Sequence, residues 1–196
     1  MADKFKNKYR IQSARLQNWD YSWNAPYFIT ICTHNRQCFF GEITNGKMKL
    51  SKIGKIIETE WLKTFEMRPD MNLEMGEFIV MPNHFHAIII IGENDFNRRC
   101  GLQRRDAMHC VSTNADTNQI KNKFGPQSKN LASIIRGFKI GVTKNARKIN
   151  SDFAWQTRFH DHIIRNDESY KSISEYIINN PSKWDDDKFN PYNKLN

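Results

Sequence analysis

The sequence predicts a single α+β domain built on an antiparallel sheet, and three observations carry that prediction. Its 196 residues, 39% hydrophobic and 12% aromatic, match the length of one domain with one core. Two adjoining stretches, Met71 to Met81 and His84 to Ile91, have strand character and are parted only by Pro82-Asn83. The elements run strand, helix, strand, strand, helix, strand, helix. That order is the split βαβ of a ferredoxin-like sheet with helices on one face and a further helix at the C-terminal end.

Ala25 to Thr33, with Tyr27-Phe28-Ile29-Thr30-Ile31 after Pro26, is rich in aromatic and β-branched residues and predicts the first strand. His34 to Gln37 is a polar turn, and Thr44-Asn45-Gly46-Lys47 predicts a hairpin turn. Ser51 caps a helix to about Met67, with Ile53, Ile56, Ile57, Trp61 and Phe65 at helical spacing and Pro69 beyond its end. The two strands ending at Met81 and Ile91 come next. Residues 93–127 keep no period, which predicts a flexible insertion. A helix over Ser128 to Lys148 buries Leu131, Ile134, Ile135, Phe138 and Val142 and leaves Arg136, Lys139, Lys144 and Arg147 to solvent or phosphate. Phe153 to Ile164 predicts the last strand. Asp167 is expected to cap a helix over Glu168 to Asn179 that Pro181 stops. The residues from Asp185 to Asn196 read as a polar, fraying tail.

The chain carries 30 Lys plus Arg against 21 Asp plus Glu, a formal net charge of +9. The surplus is local: +5 over residues 1–70 and +8 over 93–150, against −2 over each of 71–92 and 151–196. A basic chain of this kind suits an anionic partner, nucleic acid above all, although solubility alone also explains it. No apolar run approaches the roughly 20 residues that span a bilayer, so no membrane partner is expected. The charged N-terminal residues lead into no apolar segment, which predicts a cytoplasmic protein. Cys32, Cys38, Cys100 and Cys110 form no CxxC pair, which predicts reduced thiols rather than a zinc ribbon or disulfide framework.

His84 and His86 flank Phe85 on a strand. Alternate strand residues share a face, so both imidazoles project one way while Phe85 turns into the core. Such a pair is either a solvent-facing couple or two ligands of one metal ion. On the last helix Tyr176 and Asn180, four residues apart, lie about 40° from one another around the axis. Tyr176 is either a half-buried core phenol or a nucleophile. A phenol is a poor nucleophile at neutral pH unless the other reactant is activated, as a divalent cation would do for a phosphodiester. His160 and His162 make a second His-x-His pair, read as structural or DNA-contacting.

Met81-Pro82-Asn83-His84-Phe85-His86-Ala87-Ile88-Ile89 closely resembles the His-hydrophobic-His motif of the single-tyrosine HUH transposases, and Tyr176-Ile177-Ile178-Asn179-Asn180-Pro181 resembles the YIxxNP signature of their REP-associated branch. The likeness extends to Tyr27–Arg36, Leu131–Lys139 and Trp155–Arg165. It leaves out residues 93–127 and both ends. What the resemblance implies is metal-dependent cleavage and rejoining of single-stranded DNA beside a repeat-derived hairpin, by a monomer or homodimer. Tyr176 would be the nucleophile, and His84, His86 and Asn180 the ligands of Mg²⁺ or Mn²⁺. Asn180 is shorter than the Gln of many insertion-sequence relatives. On that reading Arg136, Lys139, Lys144, Arg158 and Arg165 are candidates for phosphate contacts, and Trp155 and Phe159 for base stacking.

Two rivals remain from the sequence. One is a domesticated protein that holds a nucleic-acid hairpin with little or no cleavage. The other is a zinc hydrolase, for which no further ligands stand at suitable positions.

Overall fold

The computed structural model describes residue 16 and residues 19–98 and 128–193. The predicted insertion therefore lies outside the described residues from position 99 onward, as do Cys100 and Cys110. Cys32 is buried and Cys38 exposed, and both are free thiols. No helix among the described residues is long and apolar enough to cross a membrane.

Four strands, β1 (Ala25–Cys32), β4 (Leu73–Val80), β5 (His84–Ile91) and β6 (His160–Ile163), form one sheet in the order β4-β5-β1-β6. Every neighbouring pair is antiparallel. β5 thus slots between β1 and β4, as the split βαβ predicts, and the fold is ferredoxin-like. The hairpin β2 (Gly41–Thr44) and β3 (Lys47–Leu50) is a separate two-stranded ribbon. Its turn places Asn45 and Gly46 at φ of 52° and 68°, the left-handed pair that an Asn-Gly hairpin turn requires.

Helix α1 (Lys52–Glu66) starts where expected, with Ser51 Oγ accepting from the Ile53 and Gly54 amides. Together with α2 (Leu131–Ala146) it covers one sheet face. Tyr27, Ile29 and Ile31 of β1 and Phe85, Ala87, Ile89 and Ile91 of β5 point into this layer. Phe85 packs on Trp61 of α1 and Phe138 of α2, with ring centroids 5.1 and 5.4 Å away. Burying such a side chain is worth about 1.5–3 kcal/mol, which commits β5 to one register and sends its alternate residues to the opposite face.

Helix α3 (Asp167–Asn179) lies on that opposite face, where Ile177 is buried with Ile88 and Ile164, and Tyr170 and Ile173 pack alongside. A Cβ on Gly76 would come within 2.8 Å of Tyr170 Oη and 2.9 Å of Ile88 Cβ. This glycine, at the irregularity in β4 between Met75 and Phe78, lets α3 approach the sheet.

Four expectations shift. Asn130, not Ser128, starts α2, through a reciprocal capping box with Ser133. Asn166, not Asp167, caps α3 by accepting from the Ser169 amide. The last strand contracts to His160–Ile163, because Trp155 makes only an isolated bridge to Thr33 and Arg158 turns to a φ of 72°. The expected frayed tail packs instead. Pro181–Asp186 forms a 3-10 helix with Trp184 buried, and the chain to Asn193 follows in hydrogen-bonded turns.

Candidate active site

β5 begins at His84 because Pro82-Asn83 breaks the ladder, and the Met81 amide then bonds back to the His84 carbonyl at 2.8 Å. His84 pairs with Cys32 and His86 with Thr30, so the central strand presents both rings on the face that α3 covers. Their centroids lie 4.5 Å apart, and only 0% and 1% of the two residues is exposed.

Each ring is oriented by a neighbour. His84 Nδ1 stands 2.9 Å from Asn83 Oδ1. A carboxamide oxygen only accepts, so Nδ1 carries the proton and Nε2 presents a lone pair. That Nε2 is buried without a hydrogen-bond partner. His86 Nδ1 meets Thr30 Oγ1 at 2.8 Å, and its Nε2 faces Tyr176 Oη at 3.3 Å. Burial, reinforced by His86, holds the His84 pKa well below the usual histidine value. Burial, with a smaller contribution from Lys188, pushes His86 down to about 3. Both rings are therefore neutral at physiological pH, as metal ligands must be.

Tyr176 projects from the α3 rim onto His86 and the Phe28 edge, at centroid distances of 5.3 and 6.1 Å. Burial raises its phenol pKa, while the Asn180 side chain works the other way. Asn180 ends α3 and is 3% exposed, and its Oδ1 is buried without a partner. The structure thus brings together His84, His86, Tyr176 and Asn180 within one chain. Two of the four leave a buried, unpartnered electron pair, and nitrogen and oxygen donors of this kind fit a divalent ion. Among the described residues no three His, Cys, Asp or Glu side chains cluster closely enough to hold an ion by themselves, so the carboxamide oxygen is an integral part of that fit.

An uncharacterized protein of Haemophilus influenzae is 37% identical over 181 residues, covering 90% of this chain and 91% of its own. A protein of the same organism described as a REP-associated tyrosine transposase is 24% identical over 164 residues, 84% of this chain and 74% of that one. The chain is thus similar in sequence to a REP-associated tyrosine transposase. A solved REP-associated tyrosine transposase bound to a REP hairpin shares the fold, with a TM-score of 0.55 and 20% identity over 88% of this chain and 74% of that chain. No protein-family model matches.

Most of the sequence-predicted basic residues also converge. Arg136, Lys139, Lys144 and Arg158, with Arg147, rim a groove of about 700 Å³ whose floor includes Ile135, Ile140, Trp155 and Phe159. Arg165 is exposed but does not line it. Trp155 and Phe159 turn one side to the groove while packing against the core, and Lys139 Nζ is tethered to the Gln156 and Arg158 carbonyls at 2.8 and 3.1 Å. His160 and His162 are exposed on β6, opposite Thr30 and Phe28 and hence on the same face as His86.

Sequence reasoning missed the segment after α3. The Phe189 ring lies tilted against His84 at a centroid distance of 4.7 Å, and Asp187 Oδ2 lies 3.8 Å from His84 Nε2. Asn83 Nδ2 donates to the Phe189 and Arg36 carbonyls at 2.7 and 3.0 Å, and the Arg36 guanidinium stands over the Phe189 ring at 5.2 Å. Trp184 and Phe189, two aromatics in an otherwise polar stretch, were the available signal.

Proposed function

We propose that this protein is a REP-associated, IS200-like tyrosine transposase that cleaves and rejoins single-stranded DNA beside a repeat-derived hairpin through a 5′-phosphotyrosine linkage. The observation that carries the reading is Tyr176 Oη at 3.3 Å from His86 Nε2, in a chain whose His84 and Asn180 keep unpartnered donor atoms. His84, His86 and Asn180 would hold Mg²⁺ or Mn²⁺. Such an ion, when bound, polarises the scissile phosphate and stabilises charge on the leaving oxygen.

The chain's own residues do the rest. Asn83 and Thr30 fix the two imidazoles, and α3 delivers the phenol, held by Ile173 and Ile177 against the sheet. The Tyr176 Oη–P bond forms as the P–O3′ bond breaks, and the phenolic proton passes through solvent to the departing 3′ oxygen. The products are a 5′-phosphotyrosine and a 3′ hydroxyl. The linkage keeps the phosphodiester's energy, so a 3′ hydroxyl attacking it rejoins the strand. Because one chain supplies both histidines and the tyrosine, a monomer suffices for the chemistry. The basic groove on α2 supplies phosphate contacts, with apolar side chains beneath for bases.

The test is incubation of labelled hairpin-bearing single-stranded DNA with Mn²⁺ and either the parent or Tyr176→Phe. A covalent protein–DNA adduct is expected from the parent only. Binding with no adduct from the parent points instead to a domesticated hairpin-binding protein, and an adduct from Tyr176→Phe removes the tyrosine from its role.

A further inference from the structure

Asp187 faces the histidine pair in a way that the proposed ligand set does not use. Its Oδ1 accepts from the Phe189 amide at 2.8 Å, and its own amide bonds to the Trp184 carbonyl at 3.1 Å. The Asn83 bond to the Phe189 carbonyl pins the same turn from the β5 side. So held, Asp187 aims Oδ2 at His84 Nε2, 3.8 Å away, and its side chain is 8% exposed.

The two facing atoms are chemically alike. His84 Nδ1 spends the ring's proton on Asn83, so Nε2 is a lone pair, and a carboxylate oxygen only accepts. Two buried acceptors at 3.8 Å cannot hydrogen-bond each other, being past the roughly 3.2 Å limit of a good bond and lacking a proton between them. Leaving the fully buried Nε2 without a partner is costly. A cation between them satisfies both, and two donors each about 2.1 Å from one ion lie between about 3.0 Å apart in cis and about 4.2 Å in trans.

We propose that Asp187 is the anionic ligand of the divalent ion at His84, acting with the Asn180 carboxamide and the neutral histidines, which do not form with Asp187 a sufficient cluster by themselves. A carboxylate suits a hard ion such as Mg²⁺ or Mn²⁺ better than neutral donors alone. This inference rests on the reading of His84 and His86 as metal ligands.

The experiment is Mn²⁺ titration of the DNA-free protein, with free Mn²⁺ read by electron paramagnetic resonance, for the parent, Asp187→Asn and His84→Ala. Asp187→Asn keeps the acceptor for the Phe189 amide, and thermal unfolding of each metal-free variant checks that the fold is retained. The expected result is saturable binding by the parent, weakened by Asp187→Asn by at least about 10- to 100-fold, the loss typical even of outer-shell partners. Binding by Asp187→Asn equal to the parent, with His84→Ala losing it, overturns the role of Asp187 and leaves the metal site standing. Binding unaffected by His84→Ala, or no saturable binding by the parent, overturns both.

Discussion

Two His-x-His pairs project from one face of this sheet, separated by a single strand, and they have different fates. His84 and His86 sit on β5, bonded to β4 on one side and β1 on the other, and are fully buried. His160 and His162 sit on β6, the edge strand, and are exposed. The spacing that puts two rings on one side is common to both. What differs is the backing: Asn83 and Thr30 hydrogen-bond the first pair, α3 sets Tyr176 and Asn180 against it, and Phe189 closes over it. Enclosure and orientation, more than the motif, make a pair of imidazoles into a site.

The sharpest way to break this contrast is to remove each pair. His84→Ala or His86→Ala is expected to abolish Mn²⁺ binding at micromolar protein and metal in a calorimetric titration, whereas His160→Ala and His162→Ala retain the parent's affinity. Loss of metal from an edge-strand variant would reverse the assignment.

Enclosure also has a pH signature. The folded-state pKa values of His84 and His86 lie below the value of about 6.5 expected unfolded, so between the folded and unfolded values the unfolded chain binds more protons. The stabilisation is complete above about pH 6.5 and is lost as pH falls through the window toward the folded pKa values. Urea unfolding of the metal-free protein is therefore expected to weaken steadily on acidification, and His86→Gln to flatten that slope by up to one proton. An unchanged slope means that His86 is not desolvated as the structure has it.

The smallest effect belongs to the groove beside β6. Arg158→Ala is expected to reduce the slope of log affinity against log salt for single-stranded DNA by about 0.7, the share of one phosphate contact. An identical slope in parent and variant takes Arg158 out of the DNA interface.

The features legible in the sequence are those written in local periodicity. Alternation placed His84 and His86 on one face with Phe85 on the other, and helical spacing placed Tyr176 with Asn180 at the rim of α3. The split βαβ order followed from element lengths and the Pro82-Asn83 break. What was not legible depends on contacts between distant positions. Thr30 orients His86 across 56 residues, and Asn83 reaches Phe189 across 106; neither has a local pattern. The stretch from 181 to 193 has no apolar period, so its polarity read as fraying while its two aromatics packed. β6 was overextended because its alternation carries on through residues that bend away at Arg158.

The six-residue 3-10 segment Pro181–Asp186 separates Asn180 from Asp187, and each of these two flanking residues carries a donor atom near the histidines. Such a segment works as a ruler. Deleting or inserting one residue within it would swing Asp187 away from His84, whereas the side chains at Ser182, Lys183, Asp185 and Asp186 are exposed. Apart from the buried Pro181 and Trp184, the stretch is free in letter and fixed in length, a signature of spacing more than of composition.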